Sequence, residues 1–80
     1  MAGIVELDLH GRNIFQARTA IDAALRRAKA GTYRIRIIHG YNSGTAIRDF
    51  IREHYAADGR IKRIQQGANP GITEIVLRDF

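Results

Sequence analysis

Two histidines in this chain each close an apolar run and directly precede a glycine: His10-Gly11 and His39-Gly40. Asp8 lies two residues before His10, so on an extended strand the carboxylate and the imidazole share one face. A carboxylate beside an imidazole orients the ring and supports its protonated form, as acid–base chemistry on a substrate requires. A lone Asp-x-His on a strand is more often structural than catalytic. The second His-Gly strand end strengthens the case for a site. Asp8, His10 and His39 would also form a donor set for zinc or manganese if the three converged. His54 lies too far along its own helix to join them.

The segment after His39 reads Gly40-Tyr41-Asn42-Ser43-Gly44-Thr45 and opens onto a helix. Free amides at a helix start, together with the helix dipole, attract phosphate. Arg48 lies about one turn into that helix, placed for a second phosphate contact. This is not a Walker loop, because no Gly-Lys-Ser/Thr follows, and it lacks the spacing of a dinucleotide fingerprint. Tyr41 offers a ring that could stack on a base.

The elements around these residues follow from periodicity. Val5, Leu7 and Leu9 alternate with Glu6, Asp8 and His10, which predicts a first strand. Asn13 and Gln16 have the spacing of a capping box, and Ile14, Ala17, Ile21, Leu25 and Ala28 form a helical stripe that Gly31 would end. Residues 34–39 predict a second strand. Ile47, Phe50, Ile51 and His54 or Tyr55 form the stripe of a second helix, capped by Ser43 or Thr45. Residues 60–65 predict a weaker third strand, and residues 73–77 the last. The order predicts an α/β (α+β) two-layer sandwich, βαβαββ, with a four-stranded mixed sheet and two helices on one face. The first two strands would be parallel neighbours and the last two an antiparallel hairpin. With Val5, Leu7 and Leu9 under the helices, Glu6, Asp8 and His10 point to the open face. Arg34 and Arg36, opposite Ile35 and Ile37, would join them there as nucleic-acid contacts.

Eighty residues, 45% apolar and 26% charged, make one globular domain spanning 1–80. No apolar run exceeds three residues, which excludes a transmembrane helix, and the N-terminus lacks the pattern of a secretory signal. The absence of cysteine excludes disulfides, thiolate metal sites and cysteine nucleophiles, and fits a cytoplasmic protein. Thirteen basic residues against eight acidic ones give a net charge of +5, and eleven of the thirteen are arginine. Arginine grips phosphate with a planar fork, so this bias points to a polyanion: nucleic acid or the ribosome.

Three segments resemble the Smr (small MutS-related) domain, in the family's order and spacing. Leu7-Asp8-Leu9-His10-Gly11 is similar to its Leu-Asp-Leu-His-Gly signature. His39-Gly40-x-x-Ser43-Gly44, followed by Ile47-Arg48, is similar to its glycine loop. Residues 71–76, Gly-Ile-Thr-Glu-Ile-Val, are similar to its closing segment. Asn42 replaces the family's glycine, Tyr41 replaces a basic residue, and the loop is one residue longer. The resemblance implies the βαβαββ fold and a nuclease that nicks DNA or cleaves RNA. It implies Asp8 and His10 as catalytic residues, with His39 and residues 40–44 at the site. His39 is expected as a third catalytic residue that serves the leaving oxygen or holds the phosphate. RNA is slightly favoured as substrate. A ribose 2′-hydroxyl nucleophile would need no cofactor, whereas an attacking water would call for magnesium or manganese. The rival readings are a non-catalytic module that binds RNA, DNA or the ribosome, and a protein adaptor using an Ile64–Val76 surface. Oligomeric state is left open.

Overall fold

The computed structural model describes residues 3–41 and 44–79. Along the chain run β1 (Ile4–Asp8), α1 (Ile14–Arg27), β2 (Arg34–Ile38), α2 (Ala46–His54), β3 (Arg63–Gln66) and β4 (Ile72–Val76). The sheet order is β1-β2-β4-β3, with β1 and β2 parallel and the other two pairings antiparallel. This is the predicted α+β architecture.

Residues paired across a sheet point to the same face, so the register sorts the side chains. Val5, Ile35, Ile75 and Ile64 form one cross-strand row, and Leu7, Ile37 and Thr73 the next. The helices cover these rows with Ala17, Ile21, Ala24 and Leu25 from α1 and Ile47 and Ile51 from α2. The opposite face carries the row Glu6, Arg36, Glu74 and Gln65, flanked by Ile4, Arg34, Val76 and Arg63 on one side and by Asp8, Ile38 and Ile72 on the other. Asp8, Arg34 and Arg36 therefore lie on the open face, as the alternation requires.

Several boundaries differ from the sequence reading. The capping box forms: Asn13 Oδ1 accepts from the Gln16 N–H at 2.8 Å, and Gln16 Oε1 accepts from the Asn13 N–H at 3.0 Å. However, α1 ends at Arg27, because Ala28 turns to an extended conformation before Gly31 is reached. Thr45 occupies the N-cap position of α2, but its hydroxyl donates to Asp49 at 2.7 Å and caps no amide. The alternative cap, Ser43, lies outside the described residues. At the far end of α2, Tyr55 is the buried member of the stripe and donates to Asp22 of α1 at 2.6 Å, while His54 is exposed and stacks on Phe50. β3 starts at Arg63, not Arg60, because Asp58 takes both the backbone N–H and the guanidinium of Arg60 in a turn. Ile64 faces the helices and Val76 the opposite side, where it is fully buried, so the two form no common adaptor surface.

Candidate active site at the parallel strand edge

Because β1 and β2 run parallel in register, Asp8 beside Ile38, their C-terminal ends emerge together. The Leu9 N–H still donates to the Ile38 carbonyl at 2.8 Å, which ties His10 to the start of the glycine loop. Gly11 and Gly40, the residues after the two histidines, both turn the chain at positive φ, 75° and 73°. A side chain is strained in that region, so glycine is what lets each strand leave the sheet at once. A Cβ built on Gly40 would lie 3.7 Å from the Cβ of His10, so the two strand ends touch.

At this edge His10 Nδ1 lies 2.5 Å from Asp8 Oδ1, and the His10 backbone N–H reaches the same oxygen at 3.3 Å. The bond from the ring, then the bond from the backbone, hold the Asp8 carboxyl below its usual 3.8 against a small opposing effect of burial. An ionised carboxylate only accepts, so the proton in this pair sits on Nδ1. Nε2 of the neutral ring then presents its lone pair outward. Both side chains are open to solvent, His10 at 72% and Asp8 at 57% exposure, so a large substrate can reach them.

His39 is placed differently. It continues the alternation of Ile35 and Ile37 and bonds to Thr73, which belongs to the helix-facing row. Its Nδ1 donates to the Gly40 carbonyl at 2.7 Å, and its Nε2 lies 2.8 Å from the Thr73 hydroxyl. A carbonyl cannot donate, so in the neutral ring Nδ1 carries the proton and Nε2 accepts from Thr73. The N–H groups of His39 and Gly40 both donate to the Gly71 carbonyl at 3.0 Å. His39 thus clamps the base of the glycine loop, with both ring nitrogens engaged. The three-residue metal donor set is corrected here: among the described residues no three histidine or carboxylate side chains come together to hold a metal. Asp8 and His39 project to opposite faces of the sheet, which is why they do not converge.

Between the β1–α1 turn and the start of α2 lies a cleft of about 180 Å³, lined by Gly11, Arg12, His39, Gly44, Ala46 and Ile47. Arg12 was not singled out from the sequence. Its charge helps hold Asp8 ionised, and its position directly after His10-Gly11 was the available signal. Thr73 was missed as the partner of His39. Arg48 is half-exposed and directs Nε and one terminal nitrogen to Asp49 at 3.1 and 3.0 Å. Tyr41 is 60% exposed. Its ring lies beside Gly71, where a Cβ would come within 2.9 Å of it. Asn42 and Ser43 lie outside the described residues.

Arg34 and Arg36 are brought together on Glu74, with Glu6 also 3.8 Å from Arg36, and not to the strand edge. Arg34 bonds Glu74 at 2.9 Å and Arg36 bonds its other oxygen at 3.0 Å, while Gln65 reaches the first oxygen at 3.2 Å. Burial raises the proton affinity of Glu74. The bonds from Gln65 and Arg36 and the two guanidinium charges outweigh it, so the carboxyl lies below its ordinary value.

A βαβαββ sandwich carrying an Asp-x-His-Gly strand end beside a His-Gly loop defines a class, and the comparisons agree: residues 7–78 match the Smr domain, and the chain belongs to that family. The chain is 32% identical to the endonuclease MutS2 of Thermus thermophilus over 94% of its own length. It spans only 11% of that relative. The crystal structure of the Smr domain of the same MutS2 superposes with a TM-score of 0.79 at 33% identity, covering 94% of this chain and 99% of that one.

Proposed function

We propose that this domain is an endonuclease acting on the phosphodiester backbone of nucleic acid, with RNA as the favoured substrate. The observation that carries this reading is the Asp8–His10 pair, with Nε2 of His10 directed outward at an open strand edge. On RNA, Nε2 takes the proton of the 2′-hydroxyl as that oxygen attacks phosphorus. The bond to the 5′-oxygen breaks, and the leaving oxygen takes a proton from solvent, which the exposed edge admits. The products are a cyclic phosphate and a 5′-hydroxyl. On DNA the same nitrogen would take the proton of an attacking water.

The charge that builds on phosphorus is met by groups around the cleft. The amides at the start of α2, unfilled by the Thr45 side chain, face it with the positive end of the helix dipole. Arg12 adds a cation beside His10, and Arg48 a second one a turn along α2. His39 acts as a positioning residue, holding the Gly40 carbonyl and hence the loop. Asp8 and His10 supply two donors, short of a metal cage built by the protein alone. The relative named as an endonuclease supports the reading, and so does the net charge of +5.

The test is Asp8→Asn. The amide cannot favour the same tautomer or stabilise the imidazolium, so cleavage should fall by about 10²-fold or more while nucleic-acid affinity stays nearly unchanged. An unchanged rate would reject the assignment.

A further inference from the structure

A second cleft lies at the other end of α2. It has a volume of about 300 Å³ and is lined by Arg52, Ala56, Ile61, Lys62, Arg63 and Ile64. The helix that starts at the catalytic edge thus ends beside a basic cleft with an apolar floor. Arg48 and Arg52 are spaced by four residues, so they lie on one side of α2 between the two clefts. Among the described residues the Arg52 side chain makes no hydrogen bond or ion pair, and its charge acts on Asp49. Lys62 and Arg63 share one carboxylate, that of Asp79, at 2.7 and 3.0 Å. Three cations, set against Asp79 beside Lys62 and Arg63 and Asp49 near Arg52, leave an excess of positive charge around the cleft.

Resting on the nuclease reading above, we propose that this cleft is a second phosphate subsite that holds the same nucleic-acid strand away from its scissile bond. Arg52, Lys62 and Arg63 take a phosphate, and Ala56, Ile61 and Ile64 give a base an apolar surface. Asp79 occupies the anion's place in the free protein and competes with it. Arg63 is level with Arg34 across the sheet, at the end opposite His39. The rise of about 3.3 Å per residue from Arg34 to His39 separates the two clefts by about 16 Å along the strands. One phosphate cannot span that distance, so only a strand several nucleotides long reaches both.

The test measures fluorescence anisotropy of labelled single strands, a trinucleotide and one of about 12 nucleotides, each as RNA and as DNA. The wild-type domain should bind the longer strand more tightly. The double variant Arg52→Gln/Arg63→Gln should lose about tenfold or more on the longer strand and far less on the trinucleotide. Its salt slope should flatten by about 0.7, the value for one lost single-strand phosphate contact. Asp79→Asn should tighten the longer strand, a gain that misfolding would not produce. The same pattern with RNA and DNA is expected of a subsite that reads phosphate. Equal losses on both lengths, or a normal longer-strand affinity in the double variant with no gain in Asp79→Asn, would overturn the subsite alone. Failure of the wild type to bind either length would overturn the nuclease reading with it.

Discussion

Asp8 decides which nitrogen of His10 carries a proton, and the chemistry assigned to His10 depends on that choice. With Nδ1–H held on the carboxylate, Nε2 is the nitrogen a substrate meets. The bond also makes a prediction about acid. A carboxyl held below its usual value contributes stability above that value and loses the contribution as pH falls through its lower value in the folded protein. The His10–Asp8 bond should therefore survive at 3.8, where an isolated Asp is half protonated. A nitrogen NMR titration of the His10 ring should show an inflection below 3.8 that vanishes in Asp8→Asn. An inflection at or above 3.8 would show that the ring does not hold the carboxyl. His39 offers a contrast at the same scale. In Thr73→Val its Nε2 loses its partner, and a lost buried hydrogen bond costs about 1–2 kcal/mol. Thermal unfolding would read that loss, and an unchanged melting temperature would mean that the clamp is idle.

At the scale of elements, β4 locks the sheet by placing Glu74 between Arg34 and Arg36. Only 7% of its side chain is exposed, so its charge is tolerated there because both guanidinium groups compensate it. Glu74→Gln would leave the two arginines without their shared negative charge and with one acceptor oxygen in place of two. It should cost about 2 kcal/mol, less than the loss of a fully buried pair because solvent reaches both arginines. The sign with pH follows from the lowered carboxyl. Its contribution is whole above 4.5 and disappears as pH falls through the lower folded value, so acid unfolding should be shallower in Glu74→Gln than in the wild type. This clamp was not legible in the sequence. Arg34, Arg36 and Glu74 meet only because β4 inserts between β2 and β3, and no local pattern reports that order. The alternation of β1 and β2 was legible, and it placed Asp8 on the open face. Carried one step past Ile37, the same alternation puts His39 on the helix side. The sequence reading did not take that step and grouped both histidines by their shared edge.

Over the whole molecule, two sheet faces divide the roles. The helix face builds the core and, through His39 and Thr73, fixes the loop. The strand edge presents the Asp8–His10 pair to solvent. Architecture was readable from six periodic segments and two connection lengths, because amphipathic period and loop length dictate layers. Element ends were less readable, since single contacts such as Asp58 with Arg60 decide them. The net charge of +5 and the basic side of α2 suit a long polyanion that crosses the edge. The most direct measurement is cleavage of end-labelled single-stranded RNA and a matched DNA, with and without EDTA, by the wild-type domain and by Asp8→Asn/His10→Ala. The expected result is cleavage of RNA by the wild type alone, with the double variant still binding the strand. Cleavage that persists in the double variant, or RNA bound but uncut by the wild type in every lane, would contradict the assignment of Asp8 and His10 as the acid–base pair of a nuclease.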